Sequence, residues 1–236
     1  MKNIIVALDG MDKDKALYIA NEIKEYIWGI KLNDLLDRYG VDIITEFKNK
    51  GINVFADPKL KDIPNTVKNR VKHYENAGAD FVTVCADGGV EMVKSAVDNT
   101  KNCKVLVVTV LTSLDKEQCL HIYDDVPFGA VRRFASDAVR AGAEGIICSP
   151  MELMLKLTEI KVTDKYMFGE CLNIVTPGIR PKWYCKEDDQ KRITTPYEAM
   201  KNGADYLVIG RPITQAKDIK HAAELTYSEV NLMIDD

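Results

Sequence analysis

RAGAEGI, residues 140–146, has close copies in NAGADFV, residues 76–82, and KNGADYL, residues 201–207. Each phrase runs in the same order: the tail of a helix-period segment, a glycine, a small residue, an acidic residue, then a β-rich run. Glycine just past a periodic segment is the usual helix stop, because its backbone accepts the left-handed conformation that ends the last turn. Each copy therefore reads as a helix handing over to a strand. Gly40 and Gly51 punctuate the chain in the same way.

Outward from these junctions, short β-rich runs alternate with longer amphipathic segments. The strand candidates are residues 3–8, 28–32, 53–56, 81–84, 104–110, 145–148, 173–175 and 206–209. Most are near-continuous apolar runs, as a parallel sheet covered on both faces requires. Helical period is clearest over residues 14–26, 64–77 and 127–141; in the last, Val131, Phe134, Ala138 and Ala141 recur at spacings of three and four. Eight strands alternating with helices predict a (β/α)8 TIM barrel, a fold of about 250 residues. An open doubly wound sheet obeys the same alternation and is the alternative. No linker, low-complexity tract or charge block divides the chain, so residues 1–236 are expected to form a single domain, with the polar stretch 158–170 an insertion before the seventh strand.

Composition narrows the partners. The 236 residues carry 32 Lys+Arg against 36 Asp+Glu, a net charge of −4. That balance argues against a nucleic-acid partner, which needs a basic footprint, but not against an anionic small molecule held by a few local cations. No apolar run approaches the ~18–20 residues of a membrane span. The N-terminal run NIIVAL is shorter than a signal-peptide core and is ended by Asp9, so a cytoplasmic protein is expected. The six cysteines, Cys85, Cys103, Cys119, Cys148, Cys171 and Cys185, show no CxxC pair, and several sit in strand-like runs. They read as reduced, small hydrophobes.

Chemistry in a barrel gathers at the C-terminal ends of the strands. Those ends carry Asp9, Lys31, Asp57, Lys59, Thr112 and Arg211. A single charge there is ordinarily a solvated loop residue or a helix cap; recurrence at the same end of many strands is what points to a site. In FADPKLKDIPNT, residues 55–66, Asp57 and Lys59 are two apart, so an extended backbone turns both toward one face. Opposite charges held close support each other's ionised forms. Asp62 lies beyond the expected turn, and the spacing leaves open whether it reaches the same cavity or caps the helix that begins near Pro64. VIGRPIT, residues 208–214, and VTPGIRP, residues 175–181, each place a glycine and an arginine after a late strand, where barrels often bind phosphate. The histidines, His73, His121 and His221, lie in helix-like segments, and no ligand spacing argues for a metal.

DPKLKDIPNT, VTPGIRP, DDQKR and GADYLVIGRPIT together resemble the orotidine 5′-phosphate decarboxylase family, and the matching stretches run from VALD near the start to GRPIT near the end. The DxKxxD core is shared with sister decarboxylases of sugar phosphates; the IPNT extension and the TPGIRP–DQ–GRPIT series are more specific. The resemblance implies a (β/α)8 barrel that works as a homodimer without metal or organic cofactor and converts orotidine 5′-phosphate to UMP and carbon dioxide. By the family's motif, Lys31, Asp57, Lys59 and Asp62 form a charged network with Lys59 as proton donor. Asp62, Ile63 and Thr66 enter from the neighbouring subunit. Asp9 and Lys31 hold the ribose hydroxyls, Thr112 contacts the pyrimidine, and Gln190, Gly210 and Arg211 gather the phosphate with Arg180 nearby.

Two positions depart from the family's pattern. Cys85 stands where a histidine is usual, and Asp188 replaces a glycine two residues before Gln190. Two rivals are set against the main reading. A Mg²⁺-dependent sister acting on sugar phosphates keeps an acidic metal ligand on the strand before the DxKxxD strand, where this chain has Lys31. A non-catalytic nucleotide-binding barrel has lost part of the network, which is complete here. The lack of a preceding phosphoribosyltransferase-like stretch leads to the expectation of a freestanding chain.

Overall fold

A computed structural model of the protein describes residues 2–155, 157, 168–184 and 193–231. Gln190, Asp188 and Cys185, and most of the expected insertion at 158–170, lie outside the described residues. Eight strands close into one barrel: β1 (Ile4–Ala7), β2 (Gly29–Leu32), β3 (Asn53–Leu60), β4 (Phe81–Cys85), β5 (Lys104–Val108), β6 (Gly145–Ile147), β7 (Asn173–Thr176) and β8 (Tyr206–Ile209). Every neighbouring pair is parallel, and β8 returns to β1 with Ile4 opposite Leu207, Ile5 opposite Val208 and Val6 opposite Ile209. That closure decides against the open sheet.

Strand alternation explains why the runs are apolar throughout. Ile5, Ala7, Phe55, Phe81, Leu106, Val175 and Val208 fill the barrel interior, with Trp28, Ile147 and Tyr206 packed against them. Trp28 stacks on Phe81 at 4.6 Å, and Tyr206 meets both rings edge-on. The alternate residues, such as Ile4, Val6, Ile30, Val54 and Val82, join the larger core between strands and helices. Each such side chain contributes about 1.5–3 kcal/mol of apolar burial. A charged group in this setting therefore needs partners, and Asp57, only 4% exposed, is one such case.

The helices at 64–77 and 127–141 form as the periodicity predicts. Pro64–Ala77 starts with proline in its first turn, buries Val67, Val71 and Tyr74, and ends at Gly78 with φ of 85°. Pro127–Ala141 buries Ala130, Val131, Phe134, Ala135, Ala138 and Ala141. The first helix, expected at 14–26, is Lys13–Ile23, because Asp12 accepts the Lys15 N–H and sets its start one residue early.

The repeated phrase has a structural cause. Asp80 and Asp205, which close two of the copies, each accept a backbone N–H from the strand next door, Val54 and Ile174, both at 2.7 Å. Each returns its own N–H to the same residue's carbonyl. The helix stop and the clamp on the adjacent strand thus belong to one unit. Gly29 has a different role: a Cβ there runs into the Asn53 backbone carbonyl, so only glycine lets β2 and β3 approach at that end. Among the described residues no helix is long and apolar enough to cross a membrane.

Candidate active site

β3 is longer than the expected 53–56 because the chain stays extended through Asp57 and on to Leu60. Its pairing with β4 is interrupted between Ala56 and Leu60. Lys59 adopts a φ of 47°, one of two non-glycine residues with positive φ among those described. The expectation that Asp57 and Lys59 share a face holds, with Lys59 Nζ 2.7 Å from Asp57 Oδ2. The backbone achieving it is not a regular strand.

From β2, Lys31 reaches the same carboxylate at 3.3 Å and the Asp9 carboxylate after β1 at 3.1 Å. Burial opposes the charged form of Lys31, but the Asp57 and Asp9 carboxylates outweigh it and hold its pKa above the ordinary lysine value. The Thr83 hydroxyl on β4 donates to Asp57 Oδ1 at 3.0 Å, and Asn33 Nδ2 donates to the Asp57 carbonyl at 2.7 Å. Two ammonium groups thus flank a nearly buried carboxylate before any ligand arrives.

These groups lie in a cleft with two lobes at the C-terminal mouth. One lobe, about 210 Å³, is lined by Lys31, Asp57 and Lys59 against apolar side chains that include Phe55, Val108 and Ile147, with Thr112 at its edge. The other, about 430 Å³, is lined by Asp9, Arg180 and Arg211 together with Gly178, Gly210 and Gln215. Lys31, Pro177 and Val208 line both. The arrangement suits a ligand with a planar, partly apolar end and an anionic end. Of the two arginines, Arg180 donates to the Ile179 carbonyl through Nη1 and packs 5.8 Å from the Tyr184 ring centroid.

Asp62, Ile63 and Thr66 line neither lobe of their own chain. Asp62 accepts the N–H of the adjacent Ile63 at 2.7 Å and makes no capping bond to the helix Pro64–Ala77. Both openings left by the spacing, entry into this chain's cavity and helix capping, are therefore absent, and Ile63 is 67% exposed. Cys85 donates its thiol to the Lys59 carbonyl at 3.5 Å, and burial pushes its pKa up, so it stays a neutral thiol. It supports the backbone at Lys59, not a ligand in the cleft.

Thr83 and Asn33 were not singled out from the sequence, nor were the apolar residues of the smaller lobe. A threonine within FVTVC is an ordinary strand former, and its only signal is a hydroxyl inside an otherwise apolar run.

The fold and site define an eight-stranded α/β barrel with a preformed Lys–Asp–Lys network beside an arginine-bearing cleft. Comparison with known proteins narrows this class. The family model described as orotidine 5′-phosphate decarboxylase / HUMPS matches residues 2–226. An orotidine 5′-phosphate decarboxylase of Lactobacillus delbrueckii subsp. bulgaricus is 38% identical over 240 aligned residues, covering 94% of each chain. That of Maridesulfovibrio salexigens is 35% identical, covering 98% of this chain and all of its own. The crystal structure of the Lactobacillus acidophilus enzyme superposes with a TM-score of 0.79 at 33% identity, covering 98% of this chain and 100% of that one. The chain belongs to the orotidine 5′-phosphate decarboxylase / HUMPS family.

Proposed function

We propose that this protein is a carboxy-lyase that converts orotidine 5′-phosphate to UMP and carbon dioxide, the last step of de novo pyrimidine synthesis. The observation that carries the reading is the Lys31–Asp57–Lys59 network in the smaller lobe, with Arg180, Gly210 and Arg211 lining the adjoining one. The same network separates it from the Mg²⁺-dependent sisters: on β2, where an acidic ligand would serve a metal, Lys31 is paired to two carboxylates.

In the proposed mechanism the pyrimidine enters the apolar lobe against Thr112 and the phosphate is gathered by Arg180, Gly210, Arg211 and Gln190. Asp9 and Lys31 hold the ribose. The bond from C6 to the carboxylate breaks, its electron pair stays on C6, and carbon dioxide leaves. Little resonance is available to that carbanion, so stabilising charge has to stand in place beforehand. The Lys59 ammonium supplies it and then delivers its proton to C6. Asp57 crowds the departing carboxylate, a repulsion relieved as carbon dioxide forms. Binding energy from the phosphate end holds the reacting end in register.

We read the working form as a cytoplasmic homodimer with no metal or organic cofactor. The placement of Asp62, Ile63 and Thr66 outside the lobes of their own chain supports a role for them in the neighbouring subunit's site. The test of the reaction is loss of orotidylate absorbance with purified protein, with and without EDTA. EDTA-insensitive formation of UMP is expected. UMP binding without turnover would restore the non-catalytic reading, and turnover abolished by EDTA would restore the metal-dependent one.

A further inference from the structure

β3 and β4 fall out of step at the point where the network is built. Ala56 pairs with Val82 and Leu60 with Val84, so β3 spends Asp57, Pro58 and Lys59 where β4 spends Thr83 alone. Such an excursion leaves backbone groups without ladder partners. Pro58 has no N–H to satisfy, and the N–H of Lys59, the residue at φ of 47°, needs a partner from outside the ladder. That N–H donates to Thr83 Oγ1 at 2.8 Å, and the same hydroxyl donates its proton to Asp57 Oδ1 at 3.0 Å. Thr83 is fully buried. One hydroxyl, acting as acceptor and donor at once, therefore ties the backbone of one network member to the carboxylate of the other.

We propose that Thr83 is a positioning residue for the decarboxylation, holding the Asp57–Lys59 excursion in the one arrangement that aims both side chains into the apolar lobe. The proposal rests on the reaction proposed above and adds to it a residue that touches no substrate. Thr83 is absent from the lining of both lobes, and its two partners belong to the lobe that takes the reacting ring. Its removal should therefore alter the chemical step and leave phosphate-end binding in place.

The experiment compares steady-state kinetics of the wild type, Thr83→Val and Thr83→Ser on orotidine 5′-phosphate. Val keeps the side-chain shape without the hydroxyl, and Ser keeps the hydroxyl. We expect kcat of Thr83→Val to fall about 10- to 100-fold, as for lost hydrogen bonds and a misplaced reacting group. KM should stay within about threefold, and Thr83→Ser should return kcat to within about threefold of wild type. An inactive wild type removes the reaction and the proposal together. An active wild type with an unimpaired Thr83→Val, or a Thr83→Ser enzyme as impaired as Val, overturns the positioning role alone. If Thr83→Val does not fold, Thr83→Ala replaces it: kcat near wild type overturns the role, and a fall rescued by Ser supports it.

Discussion

Lys59 Nζ lies 2.7 Å from Asp57 Oδ2 although the two residues are joined by a single proline, and Lys31 holds the same carboxylate oxygen from the next strand at 3.3 Å. Asp57 thus sits between two cations with 5% of its side chain exposed. The electrostatic work of gathering these charges is done during folding, so the reaction itself needs little rearrangement.

In the proposed mechanism, removing the Lys59 ammonium takes away both the stabilising charge and the proton donor. Lys59→Ala should lower kcat by at least about 10⁴-fold, the upper end of the ~10²–10⁴ of proton transfer alone, because the stabilising charge is lost too. UMP should still bind, because the lobe containing Arg180 and Arg211 does not include Lys59. Single-turnover assays and calorimetric titration with UMP check the two halves. A variant retaining a tenth of wild-type kcat would remove Lys59 from its assigned role.

The raised pKa of Lys31 has a consequence at alkaline pH. Burial disfavours its charge, but Asp57 and Asp9 favour it more. A folded-state pKa above the unfolded value of about 10.4 means the contribution is complete below that pH and is lost as pH rises through the folded value. Thermal unfolding of wild type and Lys31→Met between pH 8 and 12 should show a difference that is flat at first and shrinks at the alkaline end. A difference that grows with pH would reverse the assigned sign.

Glu75, on the helix Pro64–Ala77, accepts backbone N–H groups from Lys101, Asn102 and Cys103 at 2.9 to 3.1 Å. Burial pushes its pKa up, but these donors outweigh it and hold it below the ordinary glutamate value. Its contribution is therefore present above the unfolded pKa and lost as pH falls through the lower folded one. Glu75→Gln should cost about 1–2 kcal/mol at neutral pH, allowing for partial exposure, and lower Tm by about 2–8 °C. The gap from wild type should narrow in acid. Calorimetry at several pH values measures both.

Sites completed across an interface can be rebuilt by mixing. In the proposed homodimer, Asp62→Ala and Lys59→Ala subunits, each inactive alone, should recover activity when combined and allowed to exchange, because some mixed dimers would hold one intact site. Recovery approaching a quarter of wild type is the rough statistical ceiling for random exchange with one intact site among half the dimers. Absence of any recovery, with exchange verified by differently sized tags, would place Asp62 outside a shared site.

Much of this molecule is written in local sequence. The helix Pro64–Ala77 has its start in Pro64 and its stop in Gly78, both set by the backbone preferences of single residues. The alternation of apolar runs and amphipathic helices carries the barrel's element order, and the DPKLKD spacing brings Asp57 and Lys59 to notice. Recurrence of charges at the strand ends adds Lys31 and Arg211, and the glycine–arginine pairs of VTPGIRP and VIGRPIT add the loops bearing Arg180 and Arg211; family resemblance supplies their roles. Closure of β8 onto β1 is not local: the same alternation serves an open sheet, and only the register across the first and last strands decides. The site follows the same division. That Asp57 and Lys59 are charged and two apart belongs to the sequence; that a slipped register lets Thr83, 24 residues beyond Lys59, bind both belongs to the tertiary structure. Backbone preferences act between neighbours in the chain, whereas a buried hydroxyl finds its partners only when strands distant in sequence are laid side by side.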